Sequence, residues 1–213
     1  MKIKREDLLL YGITDRSRLG GAELYEHVKM ALDGGVTFLQ LREKNREKDQ
    51  VLEEACRIGE LCREYNVPFI INDDPEIARL SGADGVHVGQ RDMEAGRVRE
   101  ILGEDKIIGV TARTVEQAIA AERSGADYLG CGAVFPTGTK SDAVELDHNT
   151  LRKICEAVNI PVIAIGGICE NNIMELKGSG ICGVAVIGAI FGSDDIKSAS
   201  ARLKVFAEKM TSS

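Results

Sequence analysis

Two stretches near the C-terminus, residues 161–168 (PVIAIGGI) and residues 183–190 (GVAVIGAI), decide the fold. Each contains a short apolar run that ends in glycine, which is the pattern of a buried parallel strand followed by a tight loop. Glycine there lets backbone N–H groups approach an anion, and (β/α)8 barrels frequently bind a phosphate at the loops after strands seven and eight. The two stretches therefore predict the last strands of such a barrel and a phosphate site beside them.

Six similar runs precede these two, and amphipathic stretches separate them. The candidate strands are residues 8–14, 36–42, 68–72, 85–88, 107–110, 128–131, 161–165 and 183–187. The candidate helices are residues 23–32, 48–65, 93–102, 115–124, 150–158, 172–177 and 195–209. This alternation is typical of parallel strands joined by crossover helices.

A glycine-containing turn recurs where a helix gives way to a strand: DGGV at 33–36, SGAD at 81–84 and 124–127, and SGIC at 179–182. Glycine tolerates the left-handed backbone that commonly ends a helix. Each recurrence spans about two βα units, which favours a four-fold repeat in a closed eight-stranded barrel. A flavodoxin-like open sheet is the alternative. Because no linker-like segment interrupts the pattern, we predict one α/β TIM-barrel domain over residues 1–213.

The composition restricts the partners. A formal net charge of -7 argues against a general nucleic-acid surface, and 4% aromatic residues without tryptophan argue against base-stacking platforms. The apolar run at residues 8–10 is too short for a membrane span or a secretory segment. We therefore expect a cytoplasmic protein with small-molecule substrates and no nucleic-acid or membrane partner. A homo-oligomer stays open.

The six cysteines show no metal-binding or disulfide pattern. They are Cys56, Cys62, Cys131, Cys155, Cys169 and Cys182. They are scattered through apolar segments without a CxxC pair or a histidine at zinc-ligand spacing. We expect reduced, mostly buried thiols.

The second candidate strand ends in polar side chains (FLQLREK). Because side chains alternate along a strand, Gln40, Arg42 and Lys44 face one side, and Leu39 and Leu41 face the other. Active sites of these barrels lie at the C-terminal ends of the strands. The pattern thus predicts two cations and an amide at the barrel mouth. A solvated strand end with chance alternation is the alternative.

Carboxylates follow the third strand (NDD) and the fourth (HVGQRD). Mg²⁺ typically takes one or two protein carboxylates together with substrate phosphate oxygens. We therefore predict that Asp73 and Asp92 bind Mg²⁺ as the cofactor. Asp74 precedes Pro75 and fits the N-cap of the next helix instead.

The three histidines do not indicate covalent catalysis. His87 lies inside the fourth strand, where a hydrogen-bonded structural imidazole is at least as reasonable as a catalytic base. His27 and His148 are predicted at the surface. No G-x-S-x-G motif marks a nucleophile.

The loop after the sixth strand (FPTGTKS, residues 135–141) carries two threonines and a lysine around a glycine. Such a loop can close over a phosphorylated ligand, although its spacing is not that of a P-loop. A plain flexible loop is the alternative. The mouth would then hold one phosphate on backbone N–H groups and a second on Mg²⁺, Arg42, Lys44 and Lys140.

Six ordered motifs resemble the thiamine phosphate synthase family along nearly the whole chain. They are QLREK (40–44), NDD (72–74), HVGQRD (87–92), GVTA (109–112), PTGTK (136–140) and IGGI (165–168). Each stands at a predicted strand end, and six in order are far more specific than any one. The resemblance implies a magnesium-dependent alkyl transferase that joins a hydroxymethylpyrimidine diphosphate to a thiazole phosphate and releases pyrophosphate.

The resemblance also implies a role for each matching position. The pyrimidine diphosphate would be bound by Gln40, Leu41, Arg42, Glu43, Lys44, Asn72, Thr111 and Lys140. Mg²⁺ would be bound by Asp73 and Asp92. The thiazole phosphate would be bound by Thr137, Gly138, Thr139, Gly167, Ile187 and Gly188. The catalytic group would be Arg42, Lys44, Thr111 and Lys140.

The chain departs from the family pattern in two places. The family usually has Ser-Ala-His where this chain has Thr111-Ala112-Arg113, and serine where this chain has Gly188. Thr111 keeps a hydroxyl, whereas Gly188 keeps only its backbone N–H, so we expect weaker binding of the thiazole phosphate. Two other functions stay open, a thiazole tautomerase of related fold and a non-catalytic sensor of phosphorylated ligands. The diphosphate-binding set speaks against the first.

Overall fold

The computed structural model describes residues 3–137 and 145–212, and it confirms the closed barrel. The eight strands are β1 (Leu10–Ile13), β2 (Phe38–Leu41), β3 (Phe69–Asn72), β4 (Gly85–Val88), β5 (Ile107–Ala112), β6 (Tyr128–Gly132), β7 (Val162–Ile165) and β8 (Gly183–Val186). All pair in parallel in chain order, and Leu10 of β1 pairs with Val184 of β8 to close the ring. The open-sheet alternative is therefore wrong.

Helices follow the strands on the outside, except between β7 and β8, where a 3₁₀ turn stands. They are α1 (Leu24–Asp33), α2 (Lys48–Glu64), α3 (Pro75–Ser81), α4 (Ala95–Leu102), α5 (Val115–Arg123), α6 (His148–Ala157), α7 (Gly188–Phe191) and α8 (Ile196–Thr211). The candidate helices did not include the four-residue α7, and the start of α3 was predicted only through its N-cap. Asp74 caps α3 as expected, because its Oδ1 accepts from the backbone N of Glu76 and of Ile77, each at 3.0 Å.

Most predicted bounds differ from the structure by one or two residues, and two elements differ in kind or in where they begin. The predicted helix at 172–177 is a 3₁₀ turn, Ile173–Leu176, because the left-handed Gly178 (φ 81°) leaves too few residues for a stable α-helix. The first strand begins at Leu10 rather than residue 8, since a 3₁₀ turn, Arg5–Leu8, precedes it.

The core has two layers. The inner cluster fills the barrel with Leu8, Tyr11, Ile13, Phe38, Ile70, Ile107, Tyr128, Ile163, Cys182 and Ala185. The outer cluster packs the other face of the strands against the helices and includes Leu39 and Leu41. This confirms the predicted alternation in β2, because Gln40, between these leucines, is buried and hydrogen-bonded to Tyr11 of the inner cluster.

Two expectations from composition can be compared with the structure. All six cysteines have free thiols, as expected, and Cys62, Cys131 and Cys182 are buried. Across residues 3–137 and 145–212, no helix combines the length and the apolar character needed to cross a bilayer.

Candidate active site at the barrel mouth

A chain of hydrogen bonds crosses the barrel interior just below the mouth. Gln40 Nε2 donates to Tyr11 Oη at 2.5 Å, and Tyr11 Oη lies 3.0 Å from Tyr128 Oη. Tyr128 Oη is hydrogen-bonded to His87 Nδ1 at 2.9 Å, and His87 Nε2 to Thr111 Oγ1 at 3.0 Å. Five different strands supply these residues. These hydrogen bonds therefore fix the orientation of Gln40 and Thr111, two predicted substrate-binding residues.

Tyr11 and Tyr128 are both neutral, and each can donate and accept a hydrogen bond. Burial raises the pKa of Tyr11 far above its usual range, only partly offset by its bonds to Tyr128 and Gln40. Burial also raises the pKa of Tyr128 well above its usual range, and the neighbouring Tyr11 adds a smaller increase. Sequence reasoning missed these residues. Each is a large side chain with a polar tip in an otherwise apolar strand, which was the available signal.

The structure brings the two predicted metal ligands together. Asp73 follows β3 with a left-handed backbone (φ 63°), and its N–H donates to His87 O at 2.8 Å. Asp92 Oδ2 accepts from Gly89 N at 2.7 Å in the loop after β4. Aspartate tolerates positive φ better than most residues. Neighbouring strands thus deliver one carboxylate each.

The electrostatics at this pair favour a cation. Partial burial raises the pKa of Asp73, and the charge and hydrogen bond of Asp92 raise it further, while Asn72 and Lys44 lower it. Four predicted site residues therefore interact at one place. The described residues contain no group of three or more His, Cys, Asp or Glu arranged to hold a metal. Two carboxylates nevertheless fit Mg²⁺, whose other ligands are usually phosphate oxygens and water.

Side chains at the end of β2 point in two directions. Arg42 is half-buried, its backbone N donates to Thr14 Oγ1 at 2.9 Å, and Lys44 is exposed. Leu41 is buried in the outer core, and the Glu43 side chain, 3% exposed, pairs with Arg16 Nε at 2.9 Å. The Leu41 side chain thus packs in the outer core and the Glu43 side chain binds Arg16, so neither is directed at the carboxylate pair.

Arg16 belongs to an ion-pair cluster that sequence reasoning missed. Arg16 pairs with both Glu43 and Glu54, and Arg46 Nη1 pairs with Glu54 Oε2 at 2.8 Å. Burial raises the pKa of Glu43, and Arg16 opposes that rise. The cluster joins the loops after β1 and β2 to α2. Its members are separated by up to 38 positions, so no local pattern reveals it.

A cavity of about 320 Å³ lies beside the loops after β7 and β8. Its lining includes the predicted thiazole-phosphate residues Thr137, Gly167, Ile187 and Gly188. Gly167 has a φ of 66°, and a Cβ there would lie 2.4 Å from Pro136 O of the neighbouring loop. Asn172 Nδ2 donates to Gly167 O at 2.9 Å and holds this backbone in place. Glycine is thus required both by the backbone conformation and by the close approach of the two loops.

Three predicted site residues, Gly138, Thr139 and Lys140, lie outside the described residues.

The structure can be compared with the predictions for the three histidines. His87 is hydrogen-bonded on both ring nitrogens, as a structural imidazole would be. His27 and His148 are half-buried rather than at the surface, and the His148 ring packs edge-on against Phe135.

A closed parallel barrel with a carboxylate pair on one side of its mouth and a glycine-lined cavity on the other is typical of (β/α)8 enzymes that act on phosphorylated small molecules. Comparison with known proteins gives the family. A family model described as thiamine monophosphate synthase matches residues 10–190. This chain belongs to that family, whose members named below are transferases.

Individual members of the family are similar to this chain over nearly their full length. The chain is 48% identical to thiamine-phosphate synthase of Clostridium tetani over 97% of this chain and 99% of the relative. It is 47% identical to thiamine-phosphate synthase of Ruminiclostridium cellulolyticum, over 95% of this chain and 97% of the relative. The solved thiamine phosphate pyrophosphorylase from Pyrococcus furiosus superposes with a TM-score of 0.91 at 40% identity, covering 98% of this chain and 99% of that one.

Proposed function

We propose that this protein is a thiamine phosphate synthase, which joins 4-amino-2-methyl-5-hydroxymethylpyrimidine diphosphate to a thiazole phosphate. The observation that carries the proposal is the pairing of two unlike sites at one barrel mouth. Asp73 and Asp92 meet beside Lys44 and Asn72 on one side, and the glycine-lined cavity lies on the other. A reaction with one diphosphate and one monophosphate substrate needs such a pair. The names of the relatives support the same activity.

The pyrimidine ring would lie over the hydrogen-bonded chain in the barrel. Because Gln40 Nε2 donates to Tyr11, the Oε1 atom of Gln40 is left to accept from the 4-amino group. Thr111 is held by His87 and presents its hydroxyl at the other end. These groups fix the ring so that its methylene carbon faces the thiazole, which lowers the entropic part of the barrier.

The diphosphate would lie over the carboxylate pair. When bound by Asp73 and Asp92, Mg²⁺ supplies positive charge that stabilises a diphosphate leaving group. Arg42, Lys44 and Lys140 would add donors to the same oxygens, and Asn72 would share them. Charges fixed in advance stabilise a leaving group more strongly than mobile water does.

The bond changes need no protein nucleophile. The bond between the methylene carbon and the diphosphate oxygen breaks, and its electron pair leaves with pyrophosphate. The aminopyrimidine stabilises the carbocation-like centre, and the lone pair of the thiazole nitrogen then forms the new C–N bond. Thr137, Gly138, Thr139, Gly167, Ile187 and Gly188 would hold the thiazole phosphate during this step. The product thiazolium carries the positive charge, so no proton is transferred.

Incubation of the purified protein with both substrates and Mg²⁺ tests the proposal. We expect pyrophosphate and thiamine phosphate to form in equal amounts, and excess EDTA to abolish both. Binding of thiazole phosphate without pyrophosphate release would favour a sensor and refute the synthase. Isomerisation of a thiazole carboxylate phosphate without condensation would favour a tautomerase.

A further inference from the structure

Arg18 reaches the glycine-lined cavity from the opposite end of the chain. It ends the 3₁₀ turn Arg16–Arg18 that follows β1, and its side chain lines the cavity together with Gly167, Ile187 and Gly188. Among the described residues of that lining, Arg18 is the only one with a charged side chain. A dianionic phosphate there would otherwise meet backbone N–H groups and neutral side chains alone.

The guanidinium is held at one edge and free at the other. Arg18 Nε donates to Asp15 Oδ2 at 3.1 Å, and Asp15 Oδ1 is itself fixed by Ser17 N at 3.1 Å and Ser17 Oγ at 2.7 Å. Within residues 3–137 and 145–212, Arg18 Nη1 and Nη2 have no hydrogen-bond acceptor. The side chain is therefore oriented by its own turn, with donors left over for a ligand.

Two glycines, one at each end of α7, lie against this guanidinium. A Cβ at Gly192 would lie 2.7 Å from Gly188 O and 2.8 Å from Arg18 Nη1, so glycine keeps both the helix end and Arg18 in place. A Cβ at Gly188 would lie 3.6 Å from Arg18 Nη2, which is an ordinary contact, and Gly188 has no left-handed φ. Arg18 thus lies directly against the position where a hydroxyl-bearing side chain would otherwise offer a donor to the cavity.

We propose that Arg18 is a phosphate-binding residue that neutralises the phosphate of the thiazole substrate, in place of a serine hydroxyl at position 188. The proposal rests on the proposed function for the identity of the ligand. The Nη groups would donate to phosphate oxygens while Asp15 keeps the guanidinium in position. This contact is made equally in the ground state and the transition state, so it acts on substrate binding and little on the chemical step.

Steady-state kinetics of Arg18→Gln test the proposal. We expect the KM for thiazole phosphate to rise about 10- to 100-fold, the usual effect of losing a hydrogen bond to a charged group. The kcat and the KM for the pyrimidine diphosphate should stay near wild type, and Arg18→Lys should recover part of the loss because it restores the charge. Arg97→Gln removes an exposed arginine from α4 and serves as the control, with unchanged constants. An unchanged KM for thiazole phosphate in Arg18→Gln would overturn the proposal.

A double-mutant cycle with Gly188→Ser makes the test sharper. In the Arg18→Gln background, the serine hydroxyl should lower the KM for thiazole phosphate about 10-fold or more, because it would donate to a charged phosphate oxygen. In the wild-type background it should change the KM less, because Arg18 already serves the same oxygens. Equal effects in both backgrounds would show that the two positions do not share a phosphate and would overturn the proposal.

Inorganic phosphate separates this proposal from the proposed function. Phosphate should raise the Tm of the wild-type protein, and the increase should be lost in Arg18→Gln but kept in Arg97→Gln. If the wild type makes no thiamine phosphate but shows this pattern, the synthase is refuted and the Arg18 site stands. If it makes thiamine phosphate and Arg18→Gln behaves as wild type in both assays, the Arg18 proposal alone fails.

Discussion

Removal of the Tyr128 hydroxyl is the sharpest test of the hydrogen-bonded chain in the barrel. Tyr128→Phe keeps the ring, which packs edge-on against Tyr11 and Phe38, and deletes bonds of 3.0 Å to Tyr11 Oη and 2.9 Å to His87 Nδ1. Tyr11 keeps its bond from Gln40, and Tyr11 and His87 each lose the bond to Tyr128. Since a typical hydrogen bond contributes about 0.5–1.5 kcal/mol, the loss of the two bonds should cost about 1–3 kcal/mol.

That cost should be visible in thermal unfolding. At roughly 2–4 °C per kcal/mol for a chain of this size, the Tm should fall by about 2–12 °C. The kcat should also fall, because His87 would no longer hold Thr111 in one orientation. Tyr65→Phe is the matched control, since it removes a hydroxyl that bonds Asp33 at the exposed surface and should change the Tm little. Equal Tm values for Tyr128→Phe and wild type would refute the view that this chain orders the barrel centre.

Three further predictions concern the mouth of the barrel. Asp73→Asn should abolish the response of pyrophosphate release to Mg²⁺ while the affinity for thiazole phosphate, measured by calorimetry, stays within a small factor; full turnover in EDTA would contradict this. Lys140→Ala should lower kcat about 10²- to 10³-fold, with Lys153→Ala on α6 as the control, and a wild-type kcat would show that Lys140 does not meet the diphosphate. Gly167→Ala should lower the free energy of unfolding, measured in urea, more than Gly178→Ala does. Both glycines have positive φ, but only a Cβ at Gly167 would meet backbone, at 2.4 Å from Pro136 O. Equal losses would mean that the loop with Pro136 moves aside.

The barrel could be predicted from the sequence because each of its strands has a recognisable local pattern. Each strand is a short apolar run, and its polar end marks the mouth, so the meeting of Asp73 with Asp92 could be predicted from neighbouring strands. The alternation in β2 likewise placed Gln40 inside the barrel. These predictions need only the period of a strand and the order of strands in a closed ring.

The contacts that sequence reasoning missed depend on closure of the ring. Tyr11 and Tyr128 are 117 positions apart and meet only because β1 and β6 face each other across the barrel. Arg18 follows β1, but its side chain lines a cavity formed mainly by the loops after β7 and β8. Glu43 was grouped with its neighbours in a motif, whereas its side chain turns toward Arg16. Long-range side-chain pairing of this kind leaves no periodic signal.

The ion pair between Arg16 and Glu43 has a mechanical consequence. Arg16 shares its turn with Arg18, and Glu43 stands between Arg42 and Lys44, so the pair braces the loop of one proposed phosphate site against the loop of the other. Moving either loop alone would expose a nearly buried carboxylate without its partner, which is costly. The pair therefore couples the two loops before a ligand arrives.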